Sequence, residues 1–480
     1  MREYELIIDK ALKKGLSPNR SIATNSEWLW QAMGFRVGRE DLEGYDISSD
    51  DPLSAVDLHY NWPFPQFIVG EAYNILVVRN ILTEEDIVYQ VSDDYATVTL
   101  IATIDQLTYG TGSLMEVADF GEYLFMTNGV INIHYDPDLA AWVTDIPVSA
   151  SLPQMSTICN FKGQAVGGNI TGVYHDCDET FYVWSKIGEF NFTPEANNEA
   201  GYRRCPYGGE VLNVRRLGNA VIGYSSKGVT ALTPSTEPTV TMGFTELSDV
   251  GLINKGAIDG DHRRHVYVGS DYILREITVG SGTFVQGGIK ELGYFRYMDE
   301  LNGSEDIIVK YDRIKKDFYI GNSTHTFLLS PYGLTQVPQH PSALWTLSDD
   351  EEEPVMLPRT VDTLDDDGDA YAPYIATNTF DMGYRGQKTI SGLETDALII
   401  LEAEAAIGWM NTIAAWGWTD FVPINNEGVA AITASAADFI AKIKFAYTVS
   451  AVSINYIKIR YKMSDLRGIR GVYAPPLRGQ

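Results

Sequence analysis

What most constrains this chain is a recurring group of short apolar strands that turn back on themselves through glycine and asparagine. Within 181–277, the run Val211 to Leu232 reads as three strands joined at Leu217-Gly218-Asn219-Ala220 and Ser225-Ser226-Lys227-Gly228. Glycine and asparagine reach positive φ at little cost, and hairpin connections of two to four residues need that. Val, Ile, Leu and Tyr dominate the flanking segments with partial period-two alternation, as strands that bury one face require. One such meander cannot bury its face alone, so the chain must pack several together.

Further groups of this kind lie along the chain. Phe67 to Arg79, Ile87 to Val91 and Ala96 to Ile104 form the first, and 117–135, with the hairpin signal Asn128-Gly129, the second. Segments 157–170 with 181–192, then 211–232, 256–277 and 306–337, complete the series. Their centres fall roughly 40 to 55 residues apart, the spacing of propeller blades with three or four strands each. No Gly-His…Trp-Asp pair and no Ser-x-Asp-x-Gly-x-Thr-Trp box occurs, and spacing alone leaves a double-sheet sandwich as the alternative. The reading is an all-β chain, with a β-propeller-like core over 46–345 and a second, C-terminal β-sandwich-like domain over 372–464.

The remaining segments differ in texture. Residues 1–45 read as an N-terminal arm, with a helix from Glu3 to Gly15 that Gly15 stops, and with Trp28, Trp30 and Phe35 anchoring the arm or contacting another subunit. Residues 346–371, carrying Asp349 to Glu353 and Asp365 to Asp369, read as an acidic linker or insertion loop. An EF-hand there fails at Thr363 and Tyr374, which leaves a simpler carboxylate turn at Asp365, Asp367 and Asp369 as an alternative to a plain loop. Residues 465–480 read as a basic tail, either a frayed end or an arm whose Arg467, Arg470 and Arg478 dock on an acidic neighbouring subunit. Strand alternation in the C-terminal domain puts Ile457, Ile459 and Tyr461 on one face and Lys458, Arg460 and Lys462 on the other.

Charge removes one class of function. Sixty-four acidic against 36 basic residues give a net charge of −28, and gripping nucleic acid needs clustered Lys and Arg. Such a surface serves solubility, or it lines a passage that a polyanion slides through without being held. No apolar run reaches the roughly 18 residues of a bilayer span, and the N-terminus lacks a secretion signal, so the expectation is a soluble chain made in a cytoplasm.

Catalytic signals are weak. Gly223-Tyr-Ser-Ser-Lys-Gly228 misses the nucleophile-elbow spacing by one residue and sits in a hairpin. No glycine-rich phosphate loop occurs. Cys159, Cys177 and Cys205 are too few and too irregular for a disulfide framework or a metal site. His175-Asp-Cys-Asp178 and His262-Arg-Arg-His265 cannot converge on a metal if they are extended, and the second reads as a polar rim. No catalytic, cofactor-binding or metal-binding residue is expected.

Cys159 to Asn169, Val183 to Phe190 and Glu199 to Tyr202 resemble a run in the tail-nozzle, or packaged-DNA stabilisation, proteins of short-tailed bacteriophages, a family related to the tail tubular B type. Leu217 to Tyr224 with Gly228, Gly251 to Ala257 leading into Arg264 to Val268, and Phe380 to Ile390 are similar to the same family. The resemblance implies a non-enzymatic β-propeller subunit of the virion tail, assembled in the host cytoplasm. It would form a homo-oligomer, a hexameric ring, below portal and adaptor (the head-to-tail connector). That ring would close the DNA exit channel and support tail fibres, tailspikes, or a tail needle or plug. Genomic DNA would pass through the lumen without specific binding, along a wall of carboxylates or neutral groups. A fibre-attachment or receptor-binding hub and a propeller glycan hydrolase are the alternatives.

Overall fold

Five stretches of the chain, 66–105, 116–143, 155–204, 211–248 and 258–293, each fold into a four-stranded antiparallel sheet whose strands follow chain order. The hairpins are those that the glycine and asparagine positions predict. Leu217 pairs with Ala220 across a two-residue turn with Gly218 at φ 56°, and Ser225 pairs with Gly228. The structure is a computed structural model and describes residues 3–18, 27–45, 53, 62–121, 123–144, 151–235, 241–279, 288–303, 305–346, 354–360, 372–383, 386–396, 403–410, 417–445 and 453–463.

Consecutive meanders pack face to face, and apolar side chains fill each gap. Phe64, Val77, Leu124 and Met126 join the first to the second, and Phe125, Ile158 and Val183 the second to the third. Phe161, Tyr182, Val214 and Leu232 join the third to the fourth. Each fully buried side chain of this size contributes about 1.5–3 kcal/mol. The pair Ile308–Tyr311 and Phe318–Gly321, and the pair Gln339–Trp345 and Val355–Thr360, continue the series. Trp345 then stacks on Phe67 of the first meander, ring centroids 4.0 Å apart, within a core shared with Leu76, Ala343 and Leu357. The last strands thus return to the first, and the series closes as a β-propeller.

By contacts the chain divides into two units. The propeller comprises 49–323 and 340–359. The second unit comprises 1–48, 324–339 and 360–480, and is likewise built of strands, mostly antiparallel.

Three expectations about boundaries change. Residues 3–8 form a strand rather than a helix, paired antiparallel with Ile457–Met463 from Glu3↔Lys462 to Ile8↔Ile457. Only Lys10–Lys14 is helical, capped by Asp9 and ended at Gly15, whose φ is 69°. Among the described residues of 1–45, the strands Glu3–Ile8, Leu29–Met33, Phe35–Val37 and Leu42–Gly44 belong to the second unit. Thr326–Leu329 and Leu334–Val337 also belong to that unit, where the sequence reading put them in the propeller. Part of the expected acidic linker, Val355–Thr360, is a strand of the propeller with Leu357 fully buried. Residues 361–371, with Asp365, Asp367 and Asp369, lie outside the described residues. In the last strand Ile457, Ile459 and Tyr461 are buried, while Lys458 and Arg460 pair with Glu394 on the other face.

Candidate functional site: the axial cavity of the propeller

The first strand of each meander faces a common cavity of about 770 Å³. A pleated strand sends alternate side chains to opposite faces, so one polar position per blade can reach the axis while its neighbours enter the apolar gaps. Glu116, Arg215, Asp259 and Lys310 occupy such positions on the second, fourth, fifth and sixth strands round the ring, and Lys255 enters from the joint before the fifth. Arg216, Arg263 and Arg313 are exposed lining residues at the rim, with Asp261 beside them. Among the described residues the lining thus carries six Lys and Arg against three carboxylates, in a chain whose total runs strongly the other way. Carboxylate lining was expected of a DNA passage, and it is not what surrounds the propeller's own axis.

The inner groups are tied to the framework to different degrees. Arg215 donates from Nη1 to Asp259 Oδ1 at 2.7 Å and from Nε to Asn213 Oδ1 at 3.3 Å. Asp259 also accepts the Tyr311 backbone N–H at 2.8 Å, which links the fifth and sixth strands. Lys255 donates all three ammonium protons to neutral oxygens: Ser113 Oγ at 2.9 Å, the Leu114 carbonyl at 2.5 Å and the Ser156 carbonyl. Burial pushes the Lys255 ammonium down to about 8, against the attraction of Glu116. Glu116 Oε1 accepts from Asn213 Nδ2 at 3.2 Å. Lys310 differs from the others, because its ammonium makes no hydrogen bond or ion pair with any described residue. Burial lowers its pKa too, and Asp259 and Glu116 only partly offset this.

Other chemistry-bearing residues are held in structural roles. His265 is buried, with Nδ1 2.9 Å from Tyr224 Oη and Nε2 3.2 Å from the Arg216 carbonyl oxygen. It is therefore not part of a polar rim, whereas His262 is exposed and lines the cavity. Burial pushes the thiols of Cys159 and Cys177 up to about 12, so neither is a thiolate at neutral pH. Ser225 Oγ is used inside its own turn, donating to the Gly228 carbonyl at 2.8 Å. His175 stacks on Tyr202, ring centroids 4.9 Å apart. Among the described residues no group of three or more His, Cys, Asp or Glu is placed to hold a metal ion. No helix there is long and apolar enough to cross a membrane.

The residues expected at subunit contacts fall in the second unit or outside the described residues. Phe35 is fully buried, packed edge-on against Phe445 at 5.5 Å, and offers nothing to a neighbour. Trp28 and Trp30 are partly buried. Lys14 Nζ lies 5.0 Å above the Trp28 ring, and Trp30 sits in the strand Leu29–Met33, which pairs with Tyr374–Thr377. Arg467, Arg470 and Arg478 lie outside the described residues. The axial cluster escaped sequence reading because its members stand on different blades. The available signal is a charged residue interrupting the apolar first strand of successive repeats.

No protein-family model and no curated protein matches the chain. Among solved structures it is similar to PorZ, a bacterial surface component of the type-IX secretion system of Porphyromonas gingivalis, at 10% identity and a TM-score of 0.35. That match covers 67% of this chain, which spans only 36% of the PorZ chain. It is also similar to the WD40 domain of Toxoplasma gondii coronin, at 9% identity, 72% and 80% coverage and a TM-score of 0.33. Kluyveromyces lactis Hsv2 is a third, at 9% identity, 62% and 98% coverage and a TM-score of 0.28. Likenesses this distant carry no functional argument.

Proposed function

We propose that this chain is a structural subunit of the tail nozzle of a short-tailed phage, assembled as a ring below portal and adaptor. Of the segments that resemble that family, 159–169, 183–190, 199–202, 217–224, 251–257 and 264–268 run in order through the third, fourth and fifth blades and their joints, and 380–390 falls in the second unit. The observation that carries the ring is an apolar edge on the first blade. Its outermost strand, Val98–Asp105, leaves Leu100 exposed, and Ile81, Leu82 and Leu107 are 60%, 83% and 80% exposed on the turn and short helix of that blade. Exposed apolar groups on a free strand edge mark a contact surface, and a head-to-tail contact repeated about an axis closes a ring. In this reading the passage for DNA is the bore enclosed by several subunits, and the small axial cavity of each propeller is not part of it.

Native mass spectrometry and electron microscopy of the purified protein, alone and with its adaptor, test the reading. A ring is expected, with the double variant Leu82→Glu and Leu107→Glu shifting it toward monomer. A wild-type chain that stays monomeric at high concentration in both conditions overturns the proposal.

A further inference from the structure

We propose that the axial cavity binds a small phosphorylated molecule, its phosphoryl group held by Lys310 and Arg215 and its hydroxyls accepted by Glu116. This inference is independent of the nozzle reading.

Four observations carry it. The cavity, at about 770 Å³, has the volume of a small-molecule site and not of a bare ion site. Its lining concentrates positive charge in a chain of net −28. Lys310 presents an ammonium with no partner among the described residues, in a recess where desolvation already disfavours its charge. Finally, Lys255 has used all its donors on neutral oxygens, so its charge is left to act as a field on whatever enters.

The division of labour follows from the donors still free. Arg215 keeps its bond to Asp259 through Nη1, and its planar guanidinium has further N–H groups to offer an oxyanion. Lys310 offers three donors at a point charge, the form in which lysine takes phosphate. Among the described residues the Glu116 carboxylate accepts only one hydrogen bond, from Asn213, and a carboxylate with spare lone pairs repels a second anion but accepts hydroxyl protons. A ligand with one phosphoryl end and a hydroxylated body satisfies all three. The rim cations Arg216, Arg263 and Arg313 would draw such an anion inward.

Isothermal titration calorimetry of the full chain, with sodium pyrophosphate and with glucose 6-phosphate as probes at ionic strength matched by sodium chloride, tests the site. Saturable binding of at least one probe is expected. Preference for the sugar phosphate supports a ligand with a hydroxylated body, and preference for pyrophosphate overturns the role given to Glu116. Lys310→Met should weaken binding at least about tenfold, the loss expected on removing a hydrogen bond to a charged group. The same variant should keep or raise the melting temperature without ligand, because it removes a desolvated charge. Lys310→Arg should retain binding. The proposal fails if neither probe binds, or if binding to Lys310→Met matches the wild type.

Discussion

At the scale of single residues, His265 makes the clearest prediction. A neutral imidazole has one donor and one acceptor, so Nε2–H donates to the Arg216 carbonyl and Nδ1 accepts the Tyr224 hydroxyl proton. A proton on Nδ1 would reverse that second bond and place an uncompensated charge in a buried site. Burial first, and the nearby Arg215 charge second, push the His265 pKa down to about 3. The unfolded chain takes up this proton near pH 6.5, whereas the folded chain does so only near 3. The stabilising effect is therefore complete above about pH 6.5 and is lost as pH falls from there toward 3. Urea midpoints measured from pH 7.5 to 4 should fall more steeply for the wild type than for His265→Gln, which keeps one donor and one acceptor. Parallel curves would show that His265 is not the proton-linked group.

At the scale of elements, the N-terminal strand separates two views of the first residues. As a free arm, 1–8 could be removed without loss. As a strand on Ile457–Met463, it buries Ile8 and stacks Tyr4 on Tyr461 at 5.6 Å. Deleting residues 1–8 should then destabilise the second unit by ~3 kcal/mol, which lowers its melting temperature by about 6–12 °C. An unchanged calorimetric transition would restore the arm. This strand also shows where local sequence loses its authority. Leu6, Ile7 and Leu12 suit a helical face, and the partner that makes Glu3–Ile8 extended lies near the other end of the chain. The hairpins were legible because Gly218, Asn219 and Gly129 act within two to four residues of themselves. The axial cluster was not, because Arg215, Asp259 and Lys310 each look like one polar residue in an apolar strand until the ring closes. Phe35 was legible only in part: an aromatic beside two tryptophans reads either as an anchor or as a subunit contact, and the packing against Phe445 makes it an anchor.

At the scale of the whole molecule, charge separates exterior from axis. Of the chain's 64 acidic residues, only three among those described line the cation-rich cavity, which is too small to admit a duplex. Electrophoresis at 150 mM salt should show no retention of duplex DNA, because a net charge of −28 repels phosphate and the exposed Arg216, Arg263 and Arg313 are too few to offset it. Salt-sensitive binding would contradict this. The interleaved connectivity also governs how the chain can be made. A strand translated first waits for a partner about 450 residues later, roughly 20–90 s at ~5–20 residues per second on a ribosome. The propeller, encoded in between, can be finished before that partner emerges. Premature termination between codons 360 and 456 would thus release a chain with a complete propeller and an unmated N-terminal strand, a species primed to associate wrongly.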